Sequence, residues 1–303
     1  MSRLKILESD IPSLEGKTAI ITGGSSGIGL ASAKILASKG ANVFILDINE
    51  PNESLDEKIR FRKCDICEWS DLTSAFYVVG RVDIAVANAG VTEDGNYLSD
   101  TYDDQGTLQE PTYHVIDTNL RGTLNFLKLA ISNMKLHGND ASLVITSSST
   151  AYAPEQSLPI YSSTKSALIG FMRAMRSTLR DTNITINTVA PAATVTALLP
   201  PGLAAPIIEA GLPVSAAHFV GLAVVYSAIA TERMKVDTYG KDATGWAESP
   251  GRWNGRTILT LGTRYTELEG PFADSRERWF GVENMQETRL QQAATDFRPN
   301  GTL

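Results

Sequence analysis

A short apolar run, Lys17-Thr18-Ala19-Ile20-Ile21-Thr22, leads directly into Gly23-Gly24-Ser25-Ser26-Gly27-Ile28-Gly29. Leu30, Ala33, Ile35, Leu36 and Ala37 then recur at helical spacing until Gly40. Strand, glycine turn and helix in this order open a parallel α/β unit, because a strand buried on both faces reads as continuous apolar residues and is followed by a crossover helix. In that setting the glycines have a chemical use. The turn lets backbone approach a pyrophosphate, and the helix start offers unpaired N–H groups and the positive end of its dipole. Gly23, Ser25, Ser26, Gly27, Ile28 and Gly29 are therefore candidate phosphate-binding residues. The alternative is a tight turn that holds no ligand.

The alternation continues down the chain. Residues 42–47 form an apolar strand ending on Asp47, which lies 18 residues beyond Gly29. An acid there can accept hydrogen bonds from both ribose hydroxyls of an adenosine and repels a 2′-phosphate. No lysine or arginine stands in the glycine turn or immediately after Asp47 to offset that repulsion. The pattern favours NAD over NADP. Further strands are expected at 60–65, 82–87, 142–146, 184–189 and 257–261, with helices at 68–79, 112–137 and 214–230. This order predicts a Rossmann-like, doubly wound α/β fold: a seven-stranded parallel sheet flanked by helices in a single domain. The domain covers residues 1–303, with its core at 15–263 and a C-terminal extension at 264–303. Ligands bind at the carboxyl ends of such strands, where Thr22, Asp47, Asp65 and Asn88 stand.

Composition narrows the partners. A formal net charge of −7 repels nucleic-acid phosphates and anionic membranes, so neither is an expected partner. Residues 1–16 contain no apolar signal core, and no apolar run approaches a membrane span. The expectation is a soluble, cytoplasmic protein. Cys64 and Cys67 form a CxxC pair, but no second pair follows, and His114, His137 and His218 lack ligand spacing. No metal site is expected.

Tyr161-Ser162-Ser163-Thr164-Lys165 places a phenol and an ammonium one helical turn apart. A cation beside a phenol favours the phenolate, so this tyrosine can trade protons at lower pH. With Thr22-Gly-x-x-x-Gly-Ile-Gly29 and Asn88-Ala89-Gly90, it makes a set of three motifs in order. Together they resemble the short-chain dehydrogenase/reductase family over roughly residues 15–263. The loop at 93–110 resembles, in layout, fungal members that look like the 15-hydroxyprostaglandin dehydrogenase group.

The resemblance implies site residues. Asn119 is the catalytic asparagine, at a local helix kink that holds a water in a proton relay. The catalytic serine precedes the tyrosine by thirteen residues, which selects Ser148, with Ser147 and Ser149 as the alternatives. Tyr161 exchanges the substrate proton, and Lys165 lowers the tyrosine pKa and reaches the nicotinamide ribose. Asp65 and Ile66 flank the adenine, and Asn88, Ala89 and Gly90 line the cofactor cleft. After Pro191 the family's usual glycine is replaced by Ala192, while Thr194 and Thr196 are placed to hold the carboxamide. A GxSxG elbow is absent, which argues against a serine hydrolase.

Residues 198–213, rich in proline and apolar side chains, read as a substrate lid and favour a hydrophobic alcohol or ketone. Residues 237–256 read as an irregular wrap. Trp279 and Phe280 in the tail are anchors or pocket-lining residues. The helices at 112–137 and beyond Lys165 imply, by resemblance, a homodimer or homotetramer. The expected activity is NAD-dependent hydride transfer between nicotinamide and a hydrophobic secondary alcohol or ketone, in specialised metabolism. The alternatives are an NADPH-dependent ketoreductase and a non-catalytic dinucleotide-binding sensor or scaffold.

Overall fold

Strands buried on both faces pair in parallel when helices cover those faces, and the chain follows that rule. The computed structural model describes residues 2–93, 95–138, 140–180, 182–236 and 249–295. Among them, nine strands form the central sheet: β1 (Arg3–Leu4), β2 (Thr18–Thr22), β3 (Asn42–Asp47), β4 (Ile59–Lys63), β5 (Ile84–Ala87), β6 (Ala141–Thr146), β7 (Ile184–Pro191), β8 (Thr257–Leu261) and β9 (Arg264–Glu267). Their order is β1-β9-β8-β7-β6-β5-β2-β3-β4. The seven expected strands, β2 to β8, are all parallel to one another.

Two short antiparallel strands extend that sheet. Gly262, at φ +60°, turns β8 back into β9, and β1 pairs with β9 through Arg3–Thr266 and Leu4–Tyr265. The sheet therefore continues past residue 263 and takes in the first residues of the extension.

The principal helices are α1 (Gly27–Ser38), α2 (Trp69–Val79), α3 (Thr123–His137), α4 (Pro159–Arg180), α5 (Pro201–Glu209), α6 (Ala217–Ile229) and α7 (Val282–Ala294). Alternate strand residues feed opposite layers. Ala19 and Ile21 of β2 pack with Ala33 and Leu36 of α1 and Val220 and Val224 of α6. Ile20 faces the other way, with Leu72, Phe126, Leu127 and Met172 of α2, α3 and α4. This double cover holds the carboxyl ends of the strands along one edge.

Several local expectations change. The single helix expected at 112–137 is broken: a turn at His114–Ile116 passes through a wider π-helical segment, Asp117–Gly122, before α3 starts. The expected helix at 214–230 starts at Ala217, because Ser215–Ala216 pairs in parallel with Thr194–Val195. The lid region holds α5, with Leu198, Leu203, Ile208 and Leu212 exposed. Most of the expected wrap, including Tyr239, Gly240 and Trp246, lies outside the described residues. Beyond these, Gly251–Arg252 pairs with Thr231–Glu232, and Trp253 is buried in the core.

In the tail, the Phe272 and Trp279 rings meet at a tilt of 34° with centres 4.9 Å apart, and Trp279 meets Phe280 at 5.5 Å. Glu269 anchors this region. It is buried and takes two hydrogen bonds from Arg173, from Nε and Nη2, each at 2.8 Å. Tyr152 donates its hydroxyl to the same carboxylate, and Arg176 Nη1 lies 3.6 Å from it. No helix among the described residues is long and apolar enough to cross a membrane.

Candidate active site

The glycine turn joins β2 to α1 and is closely packed. A Cβ on Gly29 would lie 2.1 Å from the Gly23 carbonyl oxygen and 2.6 Å from Asn88 Nδ2, so no larger residue fits there. Ser26 precedes α1 in extended conformation and makes no side-chain cap, which leaves the first-turn N–H groups of α1 without a cap from that residue. Asp47 ends β3 beside this turn: Oδ2 accepts from the Ser25 N–H at 3.1 Å and Oδ1 from the Asn49 N–H at 3.0 Å. A carboxylate thus stands at the edge of the glycine turn.

Asn88 joins three strand ends. Its N–H donates to Thr22 Oγ1 at 3.0 Å, its Nδ2 to the Gly23 carbonyl at 3.0 Å, and its Oδ1 accepts from Thr146 Oγ1 at 3.0 Å. The Ala89 N–H also reaches Thr22 Oγ1, at 3.1 Å. Two residues past Ala89, Asn119 takes over. It is fully buried in the π-helical segment, accepts from the Val91 N–H at 2.8 Å and donates Nδ2 to the Val91 carbonyl at 2.8 Å. The side-chain amide pairs with Val91 as a second strand would. A widened helical turn of this kind commonly marks a functional site.

Helix α4 presents Tyr161 and Lys165 one turn apart, with Lys165 Nζ 5.5 Å from the Tyr161 ring centre. Lys165 is buried and donates to the Thr146 carbonyl at 3.0 Å. Gly90 lies between Asn119 and Lys165: a Cβ there would be 3.2 Å from Asn119 Oδ1 and 3.3 Å from Lys165 Nζ. The serine run divides by direction. Ser147 turns back and donates to the Lys165 carbonyl at 2.9 Å. Ser148 lies close enough to the Tyr161 phenol to lower its pKa, and its Oγ accepts from the Thr150 N–H at 3.1 Å. Ser149 starts a short turn, Ser149–Ala151. Of the three, Ser148 shares a site with the phenol.

The electrostatics differ from the expectation in one respect. Burial raises the Tyr161 phenol above its ordinary value, and the Ser148 hydrogen bond opposes it only in part. Burial also pushes Lys165 down to about 8. The same dry surroundings disfavour both charged forms, and this outweighs the lowering of the phenol expected from the lysine.

The short chain dehydrogenase family model matches residues 17–202. The chain belongs to the short-chain dehydrogenase/reductase family. It is 54% identical over 299 residues to short-chain dehydrogenase/reductase prx4 of Penicillium roqueforti, covering 98% of this chain and 90% of that one. It is 49% identical over 309 residues to short-chain dehydrogenase/reductase ATR7 of Stachybotrys chlorohalonatus, covering 99% and 96%. Among solved structures, the 3-ketoacyl-(acyl-carrier-protein) reductase of Brucella melitensis complexed with NADH superposes with a TM-score of 0.66 at 22% identity. It spans 82% of this chain and 98% of that one, a likeness of fold.

The family's fold binds a nicotinamide dinucleotide, and the residues of this short-chain dehydrogenase fit one. Ser25 Oγ is buried in the turn with no hydrogen-bond partner among the described residues. A Cβ on Gly27, at φ +52°, would meet Thr196 Cγ2 at 3.0 Å, so the glycine turn and the 194–196 arm lie against each other. Pro191 ends β7, and the Ala192 N–H is held by the Thr260 carbonyl at 2.9 Å. Alanine is accommodated here because its backbone continues the sheet pairing. Thr194 is buried, its hydroxyl bonded to the Ala192 carbonyl at 2.9 Å, and Thr196 Oγ1 accepts from the Leu199 N–H at 3.4 Å.

Past the end of β4, Asp65 Oδ1 accepts from the Cys67 N–H at 2.8 Å. Ile66 is buried against the π-helical segment, where a Cβ on Gly122 would come within 2.8 Å of it. Both CxxC thiols are free. Burial pushes Cys64 up to about 12 and raises Cys67 as well, the opposite of an activated thiol.

Gly29→Ala is expected to destabilise the protein by about 1–3 kcal/mol through overpacking. It should also weaken binding of the dinucleotide, because the displaced atoms belong to the glycine turn that joins β2 to α1. Thermal melts and fluorescence titration read the two effects. A melt that overlays the wild type would contradict the packing described for this turn.

Sequence reading named Ser147 only as an alternative catalytic serine and missed Thr146, Glu93 and Glu269. Thr146 and Ser147 join the site through their backbone or side-chain bonds to Asn88 and Lys165, which only the fold brings together. Glu93 reaches α4 from a loop and Glu269 from the start of a short helix, both remote in sequence. Glu93 had one readable signal, taken up below.

Proposed function

We propose that this chain is an NAD-dependent oxidoreductase that interconverts a hydrophobic secondary alcohol and its ketone. The observation that carries the reading is the convergence of Ser148, Tyr161, Lys165 and Asn119 at the strand ends beside the Asp47-backed glycine turn. Bound nicotinamide supplies the hydride acceptor or donor. Tyr161 takes the alcohol proton, or returns it to the ketone oxygen, through its phenol. Ser148, beside that phenol, holds the substrate oxygen at the same point. Lys165 brings a cation below pH about 8 and holds the nicotinamide ribose. Asn119, with a water, passes the proton outward, and its bond to Val91 fixes the widened helical turn in place.

Gly23, Ser25, Ser26, Gly27, Ile28 and Gly29 hold the pyrophosphate, and Asp47 the adenosine ribose. Asp65 and Ile66 border the adenine, Asn88, Ala89 and Gly90 line the cleft, and Pro191, Thr194 and Thr196 hold the carboxamide end. The exposed apolar side chains of α5 and its flanks support an apolar substrate. Similarity to fungal short-chain enzymes supports a place in specialised metabolism, and the absence of membrane-spanning helices among the described residues is consistent with a cytoplasmic protein. We extend the proposal to a homodimer or homotetramer by family analogy.

Fluorescence titration with NADH and, separately, NADPH tests the cofactor. NADH is expected to bind more tightly, since the Asp47 carboxylate accepts ribose hydroxyls and repels a 2′-phosphate. Asp47→Ser should narrow the preference by on the order of tenfold, the size of one lost charged hydrogen bond. Tighter NADPH binding by the wild type would put the ketoreductase reading first. Binding of neither would leave the glycine turn a structural element.

A further inference from the structure

Helix α4 starts without a cap of its own. Leu158 precedes it with no polar side chain, and Pro159 has no N–H at the first position. The next two N–H groups, of Ile160 and Tyr161, need acceptors from outside the helix. Glu93 supplies both. Its Oε1 accepts from Ile160 at 3.2 Å and its Oε2 from Tyr161 at 2.8 Å, across 67 and 68 residues of sequence. The Ser162 N–H then reaches the Leu158 carbonyl at 2.9 Å in the ordinary helical way. A carboxylate suits the place, because it accepts from two N–H groups at once and opposes the positive end of the helix dipole.

The location gives the cap its consequence. Glu93 follows Asn88 on the segment that leaves β5. That segment is pinned by Asn88 to Thr22 and Gly23, by Val91 to Asn119, and by Glu93 to the amide of Tyr161 itself. We propose that Glu93 is a positioning residue for Tyr161: it fixes the first turn of α4 so that the phenol keeps its place beside Lys165 and Ser148. The Tyr161 amide nitrogen is bonded to the Cα that carries the phenol, so slack at the cap becomes displacement at the reacting oxygen. This role rests on the reading of Tyr161 as the proton carrier; the cap contact itself does not.

Two measurements on Glu93→Ala and Glu93→Gln decide it. The first needs no substrate. In protein carrying carbon-13 at tyrosine Cζ, the Tyr161 signal is assigned by its absence from Tyr161→Phe. It should shift or broaden in Glu93→Ala and return toward the wild-type position in Glu93→Gln, which keeps one acceptor oxygen. The second is turnover of NAD with 1-phenylethanol as the apolar alcohol. Glu93→Ala should lose on the order of tenfold in kcat, with KM for NAD and the NADH Kd held within about twofold, as a displaced reacting group requires. Glu93→Gln should recover most of the loss. A Tyr161 signal that overlays the wild type overturns the proposal, as does a kcat loss that merely tracks a lower melting temperature. If the wild type does not oxidise the alcohol, the oxidoreductase reading loses its support, and the tyrosine signal still decides the role of Glu93.

Discussion

Tyr161→Phe is expected to lower turnover by roughly 10²–10⁴-fold, the range supplied by a positioned general acid–base. The variant removes one oxygen and leaves the ring. That ring is largely buried, and Lys165 Nζ sits 5.5 Å from its centre, so packing of α4 is retained. The dinucleotide Kd should therefore stay within about twofold of the wild type, since the loss falls on the transition state rather than on binding. Steady-state kinetics with an apolar secondary alcohol, paired with NADH titration, separates the two quantities. A variant keeping more than about a tenth of the wild-type kcat would remove Tyr161 from proton transfer and favour the sensor or scaffold reading. The pH dependence has a fixed sign. Lys165, lowered to about 8, is cationic below that pH and neutral above it, so any assistance it gives the phenolate fades as pH rises past about 8.

Glu269→Ala is expected to destabilise the fold by about 3–5 kcal/mol, as removal of one partner from a buried ion pair does. The carboxylate is 2% exposed and Arg176 is 1% exposed, so neither charge is relieved by water. Arg173 would lose both of its hydrogen bonds to this group, and Tyr152 one of its two acceptors, the other being Thr257 Oγ1. The melting temperature should fall by roughly 5–15 °C. Glu269→Gln, which keeps the shape and part of the bonding, should fall less. A Glu269→Ala melt within about 2 °C of the wild type would mean that the cluster contributes little, as exposed pairs do.

The parts of the molecule that follow from local pattern were legible. Most parallel strands are short apolar runs and five of them, β2 and β4 to β7, lead into helices, while the glycine turn and Asn88 lie where the chain leaves a strand and the Tyr161–Lys165 pair lies in the first turns of α4. What escaped depends on contacts between distant segments. A two-residue strand at Arg3–Leu4 has no periodicity of its own and exists because β9 offers it an edge. The widened turn at Asp117–Gly122 keeps helical composition, so only the pairing of Asn119 with Val91 distinguishes it. The serine run carries three identical hydroxyls, and their separate tasks are set by where α4 lies. The phenol's elevated pKa was also out of reach, because spacing reports a neighbouring cation and not the dryness around both groups. The missing cap of α4 was the exception. Leu158-Pro159 announces that an acceptor must arrive from elsewhere, though not that it is Glu93.

The outer edge of the sheet has a consequence for biosynthesis. Arg3 and Leu4 leave the ribosome about 260 residues before their partners Thr266 and Tyr265. At 5–20 residues per second, the interval between them is roughly 13–50 s. The parallel strands β2 to β7 can assemble during that interval, while β7 keeps an open edge until β8 and the hairpin into β9 are made. The nascent chain therefore spends its synthesis with one edge open to other strands. The last residues to emerge from the sheet are the ones that cover it.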